Sequence, residues 1–344
     1  MGDYFKRVMS ETATRFWINN ATNTEAKLAI EAGAIGCTQN PSYVWKMLDG
    51  SEDSELAKAK LKEIIKSEPN DSEALIKVQR ELVANIAKHF YPMYEKSNGK
   101  LGYVSIQGSP IQEDAESIIR FARYNCSAAP NIMAKIPVTE EGLKAIGVLV
   151  KEGIPINATE CMAVKQVLDV SEIYAAASGH MKNPAPMYFS LITGIFDEYL
   201  HSYVEKNHVD VNPDFLWQAG ICVARKVHAM VKNRCYTIGF ISGGARGLHH
   251  FTEMVGADAT VTINWKGTAD VLLKQDLPVV SRFHMQTPFE VEDALVEKLP
   301  DFRKAYFVNA IKPSEYEDFG PVVLFRSGFV SNWEKALEFV ASLR

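Results

Sequence analysis

The chain is 344 residues long, 47% hydrophobic and 23% charged, with a formal net charge of −5. That is an ordinary globular mixture at a length that suits one large α/β barrel with additions. The acidic balance, with no basic cluster to reverse it, argues against nucleic acid or an acidic membrane surface as partner.

In chain order, Arg15–Asn19 is a short apolar run, and Ala21-Thr-Asn-Thr24 leads into a helix reaching Gly33. Ala34–Cys37 reads as a second buried strand ending at Thr38-Gln-Asn-Pro-Ser42. Two strand–helix steps so early in the chain suggest parallel βα units. From about residue 51 to 95 the chain is highly charged and helical. Leu56, Ala59, Leu61, Ile64 and Ile65 mark one apolar face, and Leu75, Val78, Leu82 and Ile86 another. No strand fits there, so an inserted helical pair capping the barrel is expected. Leu101–Gln107 is the next strand, ended by Gly108-Ser-Pro110, with a helix from about Glu113 to Asn125.

Ile132-Met-Ala134 reads as a strand buried on both faces, closed by Lys135, with Pro137 halting the ladder. Thr139, followed by Glu140, Glu141 and the spacing Leu143, Ile146, Leu149, Val150, predicts an N-capped helix. Ile154–Asn157 is a fifth strand, and Ala158–Met162 leads into a helix reaching Ala177. Pro186–Ser190 is the sixth strand, followed by helices over 195–206 and 213–232. Tyr236–Ile241 is the seventh strand, ending in Ser242-Gly-Gly-Ala-Arg246, and Ala259–Ile263 is the eighth. From about residue 268 to 344 the chain is an extension outside the repeats, helical with a strand-like Pro321–Phe325. Eight strands alternating with helices predict a single (β/α)8 TIM barrel over 1–344 with extra C-terminal helices. No glycine fingerprint for a dinucleotide follows the first strand, and no phosphate-loop pattern is present.

In such a barrel chemistry gathers at the carboxyl ends of the strands. Those ends carry Asn19, Thr38 with Asn40, Gln107, Lys135, Asn157 and Thr159 with Glu160, Ser190, and the run from Ser242 through Gly244 to Arg246. A lysine half shielded at that rim has a lowered pKa and can attack a carbonyl as the free amine to form a Schiff base. The same stretch taken alone fits an ordinary surface lysine at a strand end. Asn40-Pro41 also fits a plain turn, Asn157 a helix-leading residue, and Gln107 an unremarkable strand terminus. Together they describe a polar mouth on an apolar barrel, suited to holding substrate hydroxyls and a water around a covalent intermediate. Gly243-Gly-Ala-Arg246 reads as an anion site, with glycines for close backbone approach, a following helix N-terminus and a bidentate arginine. A flexible turn with a solvated arginine is the alternative.

These residues resemble the transaldolase family, including the small fructose-6-phosphate aldolases. The stretches that carry the likeness are Thr38-Gln-Asn-Pro-Ser42, Gly102-Tyr-Val-Ser-Ile-Gln107, Met133-Ala-Lys-Ile-Pro-Val-Thr139 with Gly142-Leu143, and Glu152-Gly-Ile-Pro-Ile-Asn-Ala-Thr159. Pro92-Met-Tyr94 is similar to the longer transaldolase branch. The likeness is carried from about residue 16 to 200 and more weakly to 265. It implies a Schiff base on Lys135 with a ketose or its dihydroxyacetone fragment. It also implies substrate hydroxyls bonded by Asn40, Asn157 and Ser190, and a water held by Thr159 with Gln107. Glutamine at 107 is the aldolase-type choice, where transaldolases have glutamate. Two positions depart from the pattern. Asn19 stands where the family has the aspartate that moves the C4 hydroxyl proton, and Ile195 where it has a phosphate-binding arginine. That leaves Arg246 as the anion partner. Glu160 stands where an apolar residue is usual; either it reaches the mouth and supplies the missing carboxylate, or it decorates a helix N-terminus.

The cysteines (Cys37, Cys126, Cys161, Cys222, Cys235) are scattered and lack CxxC spacing, and His249-His250 is too short for a metal tract. A metal-independent enzyme with no cofactor is expected. It would make, break or transfer a three-carbon ketol unit of a sugar or sugar phosphate, its substrate altered by the two departures. The reading from another class is a barrel that has lost aldol chemistry and binds a sugar or sugar phosphate. The partner is a small ketose or aldose, phosphorylated or not. No apolar signal core and no window approaching ~18 apolar residues are present, so a cytoplasmic protein is expected. The helical additions are surface that a second copy could cover, so a homo-oligomer stays open.

Overall fold

The computed structural model describes residues 2–344. Eight parallel strands close into a barrel in chain order: β1 (Arg15–Asn19), β2 (Cys37–Gln39), β3 (Val104–Gln107), β4 (Ile132–Pro137), β5 (Ile156–Cys161), β6 (Met187–Leu191), β7 (Gly239–Ser242) and β8 (Thr260–Ile263). Phe16, Ile18, Ile106, Ala134, Ile136, Ala158, Phe189 and Val261 belong to one continuous buried core. Trp17, Met133 and Ile241 form a separate buried cluster, with Tyr188 packed against it. That is the period of two expected of strands: the second set faces the lumen. A Cβ on Gly36 would lie 2.4 Å from the Trp17 ring, so the glycine on β2's approach makes room for the indole inside the barrel. One residue pair further along each strand, the same lumen-facing parity delivers Asn19, Lys135 and Ser190 above this aromatic floor.

Strands β2, β3, β5 and β7 begin two or three residues later than the apolar pattern predicts. Pro137 does not halt β4; it is its last residue and pairs with Thr159. The amides of Ala134 and Val138 donate to β5, so the Pro137 nitrogen faces β3, which has already ended at Gln107. No ladder donor is lost there.

The helices follow the strands. After α1 (Tyr4–Glu11), α2 (Asn23–Ala32) follows β1, capped by Thr22 with Glu25. Between β2 and β3 lie α3 (Ser42–Leu48), α4 (Ser54–Ile64) and α5 (Asp71–Lys96). The expected helical pair is therefore present, but it does not cap the barrel. Gln79 of α5 donates to the Gln107 carbonyl at the top of β3, 2.8 Å away, and the Ala87 carbonyl accepts from Asn131 at the foot of β4. The helix thus runs down the barrel's side, as the crossover that a parallel pair requires.

Next come α6 (Ala115–Cys126), α7 (Glu140–Lys151), with Thr139 as the expected N-cap, and α8 (Val164–Ser178). After β6 stand α9 (Thr193–Asn207), α10 (Pro213–Leu216) and α11 (Ala219–Asn233), and the short α12 (His249–Thr252) precedes β8. The extension folds as α13 (Asp270–Gln275), α14 (Phe289–Lys298), α15 (Pro300–Tyr306) and α16 (Gly320–Ser342). Pro321–Phe325 is not a strand but the first turns of α16. Pro321 sits at the helix start, where its missing N–H costs nothing, and Val322, Phe329, Trp333, Ala336 and Val340 bury one face at helical spacing. Asn332 of α16 donates to the Ser42 hydroxyl of α3, so this helix crosses the barrel mouth. Among the described residues no helix is long and apolar enough to cross a membrane.

Candidate active site

A cavity of about 390 Å³ opens at the carboxyl ends of the strands. Asn19, Thr38, Asn40, Lys135, Thr159, Ser190, Gly244 and Arg246 line it. Gln107, Asn157, Glu160 and Ser242 do not. Asn157 lies a layer deeper, where it accepts from the Ser190 hydroxyl at 2.8 Å and donates to Ser105 at 3.3 Å. Ser242 follows lumen-facing Ile241 and so points outward, its hydroxyl 3.2 Å from that of Thr193.

Lys135 is 7% exposed. Burial pulls its pKa down to about 8, against the opposing pull of the Glu160 carboxylate. Roughly a tenth of the side chain is therefore free amine at neutral pH. It pairs in register with Gln107 on one side and Asn157 on the other.

Glu160 does not sit on a helix. It is in β5, wholly buried, with a left-handed φ of 64° where the pairing register shifts between Ala158 and Cys161. A non-glycine residue there is strained, and Gln166 holds it. The Gln166 amide oxygen accepts from the Met162 and Ala163 amides at 2.8 and 3.1 Å, while its nitrogen donates to the carbonyls of Val138 and Glu160. The turned carboxylate accepts from Gln107 Nε2 at 2.9 Å. Thr159 Oγ1, Gln107 Oε1 and Glu160 Oε2 are buried without a partner among the described residues. Lone polar atoms in so small a region fit proton handling beside an amine. Glu160 does not take the place of the missing acid at position 19, because β5 stands across the barrel from β1. Asn19 is instead fixed by Thr38, which donates to its oxygen at 3.0 Å, and by Asn264, which accepts from its nitrogen at 2.9 Å.

Burial raises the carboxyl of Glu160, and raises that of Glu113 well above the ordinary range with Glu160 as a second cause. Arg326 of α16 offsets this, its guanidinium 2.8 Å from Glu113. Helix α16 thus supplies both the lid (Leu324, Phe325, Phe329) and a charge to the buried acids. Reading strand ends missed these residues because they lie in the C-terminal extension, outside the eight repeats, on a helix of which only Pro321–Phe325 looked strand-like. It also missed Asn264, which a look one residue past β8 finds.

The anion site reads differently in three dimensions. Gly244 has a left-handed φ of 69°, as a tight glycine turn requires, but the helix that follows is four residues long. Arg246 is paired with Glu198 at 2.5 Å. The loop is pinned from below: His250 Nδ1 accepts from the amides of Arg246 and Gly247, and its Nε2 lies 3.0 Å from Asp197. Asp197, His249 and His250 lie within 4.8 Å of one another. With Nδ1 accepting twice, Nε2 of His250 carries the proton and donates to Asp197, which fits a structural lock and not a metal ligand.

The family described as Transaldolase/Fructose-6-phosphate aldolase matches residues 16–303. The chain belongs to that family. The match runs well past residue 265, where the motif-borne likeness fades. A Neisseria meningitidis serogroup C protein named transaldolase is 26% identical over 211 residues, 56% of this chain and 59% of that protein. A Saccharopolyspora erythraea transaldolase is 25% identical over 240 residues, covering 64% and 63%. One from Trichodesmium erythraeum is 31% identical over 171 residues, covering 46% and 43%. The aligned part of this transaldolase-family chain is less than two thirds of each relative's length.

Proposed function

We propose that the chain is an aldolase- or transaldolase-type enzyme of class I, acting on a ketose through a Schiff base on Lys135. The observation that carries this is a buried amine with pKa near 8 at the floor of a cavity ringed by amides and hydroxyls. The neutral amine adds to the ketose carbonyl, and the carbinolamine loses water to leave an iminium. Thr159, Gln107 and Glu160, each with a buried oxygen lacking a partner among the described residues, would pass the protons of that dehydration. The iminium then draws the electron pair of the C3–C4 bond as the C4 hydroxyl gives up its proton to a solvent water in the cavity, releasing an aldehyde and an enamine. The enamine attacks an acceptor aldehyde, giving transfer, or takes up a proton, giving cleavage; water then frees Lys135. Asn19 cannot accept the C4 proton, so cleavage is the slow step in this chain.

Borohydride reduction in the presence of a ketose, followed by peptide mass spectrometry, tests the reading. A mass increment on the peptide carrying Lys135 is expected. Its absence, with the ketose still bound, would leave the second reading that Asn19 favours, a barrel that holds a sugar without aldol chemistry.

A further inference from the structure

The cavity lining is of two kinds. The strand ends around Lys135 give it hydroxyls and amides, while the start of α9 gives Ile192 and Ile195 and α16 gives Leu324, Phe325 and Phe329. Its charged lining residues are Lys135, Glu198 and Arg246. Lys135 must be neutral to react, and Arg246 gives its Nε to Glu198 while Nη1 points to the Gly244 and Ala245 carbonyls at 3.4 Å. The positive charge is thus already met by a carboxylate that a dianion would have to approach. Nor is the first turn of α9 an open anion seat. A Cβ on Gly194 would meet the Gly244 carbonyl at 2.3 Å and the Arg246 nitrogen at 2.8 Å, so the β7 loop covers it.

We infer that the apolar lining from α9 and α16 selects a ketose whose terminus away from the carbonyl is uncharged and apolar, a deoxy or alkyl end in place of a phosphate ester. Glu198 is the residue that sets this preference, by countering the charge of Arg246 in an ion pair. The inference rests on the Schiff-base reading for where the carbonyl sits. Hydrogen bonds from Asn40 and Ser190 serve the hydroxyl-bearing carbons. The isoleucine and phenylalanine side chains gain by desolvating a methyl or methylene group, and a phosphate would lose its water there with no free cation in exchange.

The test is calorimetric binding of three pentuloses that differ only at C5: the 5-phosphate, the free sugar and the 5-deoxy sugar. The 5-deoxy sugar should bind at least as tightly as the free sugar and about tenfold more tightly than the 5-phosphate. In Glu198→Gln the gap between 5-deoxy and 5-phosphate should shrink about tenfold, because the guanidinium is released. A 5-phosphate that binds as tightly as the 5-deoxy sugar overturns the inference, as does a gap unmoved by the substitution, or binding of none of the three. Borohydride treatment of the same mixtures is read separately. A ligand that binds in the expected order yet leaves no adduct on Lys135 removes the covalent mechanism while the terminus preference stands.

Discussion

Lys135 is costly to the fold and useful for that reason. Its folded pKa of about 8 lies below the ordinary lysine value of 10.5, so between those limits the folded state binds fewer protons than the unfolded chain. Stability therefore rises with pH across that window, and below pH 8 the full penalty of roughly 3 kcal/mol applies. Lys135→Met should give a protein more stable than the parent at pH 7 by one to three kcal/mol on the order-of-magnitude scale of this linkage, with the advantage fading by pH 10.5. Urea melts at several pH values read it, and the variant should trap no ketose. In the parent, trapping should accelerate with pH to a plateau above about 8. Glu160→Gln keeps a partner for Gln107 and removes the carboxylate. Turnover should fall by on the order of 10²-fold while denaturation hardly shifts; unchanged turnover would reduce Glu160 to a structural group.

At the scale of elements, α16 decides how dry Lys135 is. Desolvation is the chief cause of its lowered pKa, and Phe329 is among the side chains that close the mouth above it. Phe329→Ala should admit water, move the trapping midpoint upward from about 8 toward the free-lysine value, and cost roughly 3 kcal/mol of stability for the lost core contact. A midpoint that stays put would mean the strands alone keep the amine dry. This helix was also where the sequence was hardest to read. Four apolar residues in a row after a proline suit a buried strand or a helix start equally well, and only the partner surface, the barrel mouth, distinguishes them. The ends of β2 and β5 lie beyond the apolar pattern for a related reason. Barrel strands finish in polar lumen-facing residues such as Thr38 and Thr159, so an apolar criterion stops reading where the site begins. Lys135 and Asn40 were legible because each interrupts or follows an apolar run. Glu113 and Glu198 were not, since an acid in a loop or on a helix looks solvated until the fold covers it.

On the scale of the whole molecule, the barrel and its extension are joined through charge as well as packing. Arg326 of α16 reaches Glu113 in the loop after β3 and pairs with Glu317 before the helix, and its field also lowers the raised pKa of Glu160. Glu113 is nearly sealed from solvent, so removing its partner strands a buried acid. With Arg326→Met the carboxyls of Glu113 and Glu160 rise further, and the folded protein holds protons that the unfolded chain has already released. Stability of the variant then falls as pH increases, and the deficit against the parent is largest above neutrality and smallest near pH 5. About 2 kcal/mol is expected at pH 8, after discounting for the partial exposure of the arginine. Thermal melts at both pH values measure this, and adding Glu113→Gln to Arg326→Met should recover most of the loss at pH 8. If the deficit were the same at both pH values, the arginine would be acting through packing of its aliphatic stem, and the extension would be tied to the barrel by its apolar face alone.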